Sequence, residues 1–362
     1  MGWRFFASTL NGDGTETPLA ESLPLTGVQV VDPVSAAPEV VFNLTPEVRR
    51  LQRPDGSPLI RARSTMVYAE LDGVIRGAGV VASTSAAGHE LQVTCRGLSS
   101  LIDGEPWTNT TIRYVGADPA DVVRTIWRYW QSHPRADVAL ELPDDVHTTG
   151  RVGTAEEPVL LANYATADLG DVFYDMLESG PMDFRERHTW EPDGTISHRL
   201  VLGSPRLGRR RTDLSFHVGA NVVEVPTVGF DQERYASEVL VLGAGEGDKM
   251  IRAHARNAAA DRLRRCKVIP AKAIGRTPTA QLYAAKWVRN YAGDERDVDE
   301  LVVADHPVAP LFSWDPGDEV WLSGDSMWGG QLGMWVRVLS TTVSPDRSST
   351  AVLRVARADR VA

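Results

Sequence analysis

Cysteine is nearly absent from this chain. Cys95 and Cys266, the two present among 362 residues, lie too far apart for a disulfide framework and match no metal-ligand spacing. Cys95 closes the alternating run "LQVTC" and reads as a small core residue. Long apolar runs are missing as well, and no stretch approaches the roughly 20 apolar residues that a membrane-spanning helix needs. The opening "MGWRFFASTLNGDG" has no basic segment leading into an apolar one, and Phe6 stands where a myristoylation signal carries Ser or Thr. The expectation is a protein made and kept in the cytoplasm unless something larger carries it out. Positive charge is also in deficit: the net charge of −10 and a pI near 5.4 argue against broad, adhesive binding to nucleic acid.

What is present is ordinary for a globular protein, with 43% hydrophobic and 24% charged residues, in a chain long enough for two or three cores. Residues 1–104 read as short strands, among them "WRFFAST", "GVQVVD", "EVVFNL" and "HELQVTCRG". The pair Asp72-Gly73 between two alternating runs predicts a two-residue hairpin, because both turn positions want positive φ. Asp118-Pro119 then announces a helix as cap and first turn. Val122, Val123, Ile126, Trp127 and Trp130 share one face of it, with Arg124, Arg128 and Gln131 opposite, and His133-Pro134 ends it. A second helix is expected from a Thr166 cap through Leu169, Val172, Phe173, Met176 and Leu177 to Gly180-Pro181. A hairpin is expected about Pro192-Asp193-Gly194. From 209 onward strands return ("NVVEVPTV", "EVLVLGAG", "KMIRAHA"). They are interrupted by a helix with Thr277 as cap, Pro278 in the first turn, a buried stripe of Leu282, Ala285 and Val288, and Gly293 past its end. Ser344-Pro345-Asp346 marks a turn between the two last runs. The fold class predicted is α+β, mostly β: a β-barrel over 1–104, a mixed α/β insert over 105–208, and a second barrel over 209–362 with a helical insertion at about 256–308.

Several stretches invite a catalytic reading. "LVLGAGEGDKMIRA" (240–253) places Gly243, Gly245 and Gly247 after an apolar run, as a phosphate-cradling loop would, but Asp248 stands where a dinucleotide fingerprint needs its third glycine. Ile251, Ala253 and Ala255 alternate with Met250, Arg252 and His254, which predicts a hairpin instead. Eight scattered histidines (89, 133, 147, 188, 198, 217, 254 and 306) form no zinc pattern. Of these His188 and His198 can meet across the expected hairpin, near Glu186, and a solvated pair is expected there rather than a metal. "GLSSL" lacks the closing glycine of a nucleophile elbow. The run "GDERDVDELVVAD" reads as a solvated loop, and Asn11, Asp13, Thr15 and Thr17 as a surface turn that lacks the glycine of a calcium loop. Basic clusters at Arg209–Arg211 and at Arg262, Arg264, Arg265 and Lys267 lack interleaved aromatics, so they read as solvated faces or contacts for an acidic partner. Trp314, Trp321, Trp328 and Trp335 suit either an interface or a β core. No catalytic, cofactor-binding or metal residues are assigned, and no cofactor is expected.

Four stretches together, "YAELDGVIRGAGVVAST…LQVTCRGLSSLI", "DPADVVRTIWRYWQSHP", "VLVLGAGEGDKMIRA" and "DPGDEVWLSG…MWVRVLSTTVSPDRSSTAVLRV", resemble minor tail proteins of long-tailed actinobacterial phages, of the baseplate or tail-tip hub kind. The resemblance implies a structural virion protein of the tail tip, a homotrimer whose six barrels ring a lumen. Such a ring would join the sixfold tail tube to a threefold tip and let DNA pass without specific binding. It implies distal tail, other tail-tip and tape measure proteins as partners, and no membrane span. Some relatives carry a fused wall hydrolase or receptor-binding module. This chain ends at Ala362 without one, so no enzymatic role is expected. The alternatives are a host cell-wall or receptor-binding tail protein, or a cell-wall hydrolase.

Overall fold

The computed structural model describes residues 2–53, 55–87, 90–164, 168–229, 233, 235–258, 262–272, 274–291, 297–347 and 349–359. His89, Thr166 and Gly293 fall outside them. The fold is mostly β.

The first seven strands are β1 (Trp3–Leu10), β2 (Glu16–Ala20), β3 (Thr26–Pro33), β4 (Glu39–Leu44), β5 (Thr65–Leu71), β6 (Val74–Ala87) and β7 (Glu90–Arg96), with one helical turn, α1 (Pro46–Arg49), after β4. They wrap a core containing Val30, Val40, Phe42, Val67, Val81 and Cys95. Asp72 and Gly73 make the β5–β6 turn with φ of 49° and 83°, as that dipeptide predicts. Burial raises the Cys95 thiol pKa far above its ordinary value, which leaves it an inert core residue.

The mixed region holds β8 (Ile112–Tyr114), α2 (Pro119–Gln131), β9 (Leu140–Glu141), β10 (Val159–Leu161), α3 (Leu169–Ser179), β11 (Asp183–Trp190) and β12 (Ile196–Gly203). The Asp118 carboxylate accepts from Ala120 N at 3.0 Å and caps α2. The expected face (Val122, Val123, Ile126, Trp127, Trp130) is buried. Arg124, expected on the solvent side, is buried too, because the chain at 143–146 folds over it and offers the Pro143 and Val146 carbonyls. Asp168 caps α3 by accepting from Gly170 N at 2.8 Å. This region has no core to itself: Trp127, Phe173 and Phe184 pack with Phe6, Met66 and Tyr68 of the preceding strands and with Leu98 and Ile102 of the short helical turn after β7.

The rest of the chain forms β13 (Arg210–His217), β14 (Val228–Gly229), β15 (Glu238–Leu242), β16 (Arg252–Arg256), β17 (Cys266–Pro270), α4 (Thr277–Asn290), β18 (Asp297–Val298), β19 (Glu300–Ala304), β20 (Glu319–Asp325), β21 (Gln331–Val343) and β22 (Thr350–Arg357). Strands β13, β19, β20, β21 and β22 enclose a second core around Phe216, Trp314, Leu322 and Leu353. "NVVEVPTV" is not the strand expected: only its last residue, Val228, is in one, the two-residue β14, and Val223 and Val225 are exposed. A smaller sheet, β16-β15-β17, carries α4 on one face. The stripe of α4 is shifted from the one predicted. Ala280, Ala284 and Val288 are buried, whereas Leu282 is 74% exposed, because alanines at i and i+4 allow the helix close to the sheet. Thr277 opens the helix from inside, and Arg276 holds the cap position without a side-chain bond.

The two all-β regions are not separate sheets. Pro33, Asp32, Val31 and Val30 of β3 pair with Ser340 to Val343 of β21, so one 12-stranded sheet runs β13-β20-β21-β3-β4-β7-β6-β5-β1-β2, with β22 and β19 branching from β21.

Candidate functional site

The glycine loop is a turn. β15 and β16 pair antiparallel with Val241 opposite Ala253, and the residues between them close the hairpin. Gly245 has φ of +97°, and a Cβ there would lie 2.6 Å from the Lys249 carbonyl oxygen. A strand follows, where a phosphate loop needs a helix. Gly245→Val is therefore expected to destabilise the β15–β16 module, and calorimetric titration of the parent with common nucleotides to be silent. Saturable binding abolished by that substitution would reverse this assignment.

The polar constellation with the most internal order lies where the mixed region meets the first strands. β11 and β12 form the expected hairpin and place His188 directly opposite His198. The pair is buried, not solvated, because β1, β2 and β5 cover it: the two Nδ1 atoms are 2.8 Å apart, so one nitrogen donates and the other accepts. At one end His198 Nε2 lies 2.8 Å from Glu16 Oε1, which also accepts from the Tyr68 hydroxyl at 2.6 Å. At the other end His188 Nε2 lies 3.5 Å from Glu186 Oε2, and Glu186 accepts from Leu98 N, Ser99 N and the Ser99 hydroxyl.

Burial pushes the Glu16 carboxyl up, but the hydrogen bonds from His198, Ser8 and Tyr68 outweigh it and hold the group below its ordinary value. Glu186 shows the same balance, with His188 and Ser99 overcoming its burial. Burial, only partly offset by Glu186, holds His188 below 6.5. The unfolded chain thus takes up a proton at His188 before the folded one does, so stability is expected to decline as pH falls below 6.5. The contribution of Glu16 and Glu186 is present above their ordinary value of 4.5 and is lost as pH falls through their depressed folded values. Melting curves from pH 8 down to about pH 2 check this: a His188→Gln variant should lose the upper step and keep the lower.

This cluster ties the β11–β12 hairpin to β2, β5 and the turn at 98–99. Of the hydroxyls beside the histidines, that of Ser99 is occupied by Glu186, and burial with the nearby Glu16 charge keeps the Tyr68 phenol far from ionising. Beside it, a cavity of about 690 Å³ opens between Phe6, Leu10, Glu16, Trp190 and Ile196. Further along β11 an ion-pair network continues the junction. Arg185 binds Asp32 of β3 and Asp315, Arg187 binds Asp315, and Arg337 of β21 binds Asp183. Side chains from both all-β regions thus converge on one strand of the mixed region. Sequence reasoning missed this network because its partners lie more than 120 positions apart.

Among the described residues one group has metal-ligand geometry: Glu238, His254 and Cys266 bring ligand atoms within 4.8 Å of one another. Arg256 and Arg264 each lie 3.0 Å from the Glu238 carboxylate, so a cation there would displace two guanidinium groups. Asn11, Asp13 and Thr15 form a surface turn in which Asp13 accepts from Thr15 N and Oγ. Of the four late tryptophans, Trp314 is core and Trp328, at the β20–β21 turn, is 95% exposed.

No family model and no curated protein matches the sequence. Solved structures do match. The 43 kDa tail protein of prophage MuSo2 from Shewanella oneidensis aligns over 99% of this chain and 100% of its own, with a TM-score of 0.65 at 12% identity. The tail protein from Neisseria meningitidis MC58 aligns over 99% and 97%, with a TM-score of 0.57 at 16% identity. Prophage tail protein gp18 from Listeria monocytogenes EGD-e aligns over 99% and 95%, with a TM-score of 0.57 at 10% identity. End to end, the fold of this chain is that of phage tail proteins.

Proposed function

We propose that this chain is a structural, non-enzymatic protein of a siphophage tail tip, assembling as a trimeric hub ring that joins the tail tube to the tip and lets DNA pass. The observation that carries the reading is the 12-stranded sheet. It joins strands β1 to β7 from 1–104 with β13, β19, β20, β21 and β22 from 209–362, two strand sets each with its own core, which bracket the insert 105–208. Its β2 and β13 ends carry edge strands, each paired on one side among the described residues. Two such regions per chain supply six to a trimer, and head-to-tail contacts close when the rotation per subunit is a simple fraction of a turn. A stable junction should bury on the order of 1,000 Å² or more. The similarity to tail proteins over nearly the whole chain supports the same assignment.

The acidic balance suits a channel for DNA, because a net positive wall would retain phosphate through counterion release. Neighbours in this reading are distal tail, other tail-tip and tape measure proteins. Native mass measurement, alone and with the adjacent tail proteins, should give three copies, and a map of the particle should give a lumen richer in Asp and Glu than in Lys and Arg. A monomer or dimer in the particle would overturn it. A second reading, host-wall or receptor binding, is favoured by Met327 and Trp328, 72% and 95% exposed at one hairpin tip. Trp328→Ala abolishing adsorption of an otherwise assembled particle would establish it.

A further inference from the structure

The charge of this chain is strongly segregated. Residues 238–291, which span the β16-β15-β17 sheet and α4, carry eleven Lys and Arg against four Asp and Glu, a net of +7 in a chain of −10. The insert 105–208 carries nine against seventeen, a net of −8.

Register places much of the positive charge on one surface. α4 covers the face bearing Val239, Val241 and Ala253. The opposite face is a three-by-three grid, its rows Arg256-Glu238-Cys266, His254-Leu240-Val268 and Arg252-Leu242-Pro270. Arg252, His254, Arg256 and Val268 are exposed, and Leu240 and Leu242 are half-buried and belong to none of the hydrophobic cores. Two guanidinium groups, Arg252 and Arg256, with His254 between them, thus flank an apolar centre, a surface suited to an acidic protein partner. Glu238, buried and bound by Arg256, Arg264 and His254, holds those side chains in place, and Arg252 bonds to the Gly247 carbonyl.

We propose that this open face is the junction by which one copy of the chain docks onto the acidic insert of the next, an inference that rests on the trimeric reading above. The partner surface is the segment 141–145, from the end of β9, where Glu141, Asp144 and Asp145 are exposed within five residues; Glu141 and Asp144 pair with Arg199 and Arg128 of their own chain through exposed contacts, weak enough for a docking cation to exchange. Basic face and acidic segment occupy different parts of one chain, so their pairing is heterologous, as a ring requires. A second copy therefore carries the complementary charge.

The test uses the full chain and native mass measurement at low and high salt. The parent trimer should weaken as salt rises. R252E/R256E should weaken each junction at least about tenfold, the equivalent of on the order of 1.4 kcal/mol. E141R/D145R should do the same, and the two pairs of reversals combined should restore assembly. Melting curves guard against misfolding, since Arg264 still holds Glu238 in the first variant, and Glu141→Gln/Asp145→Asn supplies a milder second probe. Trimers unaffected by either reversal would overturn the junction and leave the ring standing. A parent that stays monomeric at every salt concentration and beside its tail proteins would overturn both. Tight binding of short duplex DNA, lost in R252E/R256E, would reassign the face to a polyanion and overturn the proposal.

Discussion

Ile126→Asp is expected to cost at least about 3 kcal/mol and to lower the melting temperature cooperatively, because it strands a carboxylate in apolar surroundings. Ile126 is fully buried in the core that contains Trp127, Phe173 and Phe184. That core also contains Phe6, Met66 and Tyr68, so the damage should spread beyond α2 into the first strands. Near-ultraviolet circular dichroism should register it, since Trp127 meets Trp130 and Phe173 edge-on at centroid distances of 5.8 and 6.2 Å. An unchanged melt would mean that this face of α2 is not packed as described.

Arg185→Ala is the second substitution with a large expected effect. The Arg185 side chain is 9% exposed and its guanidinium bridges Asp32 and Asp315, and those carboxylates hold it more firmly protonated than an ordinary arginine. Its removal leaves two carboxylates facing each other across the junction. Both partners retain some contact with water, which screens the repulsion, so a loss of about 2–3 kcal/mol is expected rather than the full cost of a buried orphan charge. Arg187, which touches Asp315 from a half-exposed position, serves as the control, and Arg187→Ala should cost less than about 1 kcal/mol. Equal losses from the two variants would show that the network is a surface feature.

Local chemistry made much of this architecture legible. Asp72-Gly73, the Asp118 cap and the Asp193-Gly194 turn act within a few residues, and each appears where its sequence puts it. The glycine loop was legible for the same reason, since alternation after Gly247 outweighed the spacing of the glycines. What escaped depends on distant partners. The burial of His188 and His198 is decided by β2 and Tyr68, and that of Arg124 by a loop some twenty residues on. The stripe of α4 went wrong because helical spacing alone cannot choose between Leu282 and the alanines that let a sheet approach. The join between β3 and β21 has no local signature at all.

That join bears on how the protein comes to be made. During synthesis β3 emerges about 300 residues ahead of its partner on β21, and until then one flank of the first strand set is an open edge. Closing so long a loop adds little to the equilibrium cost, because loop entropy grows only logarithmically with length, but it delays completion of the sheet until nearly the whole chain is available. Gln29 precedes Val30 and Val31 on that flank and Asp32 follows them, a charge that discourages pairing with a wrong strand while the right one is still on the ribosome.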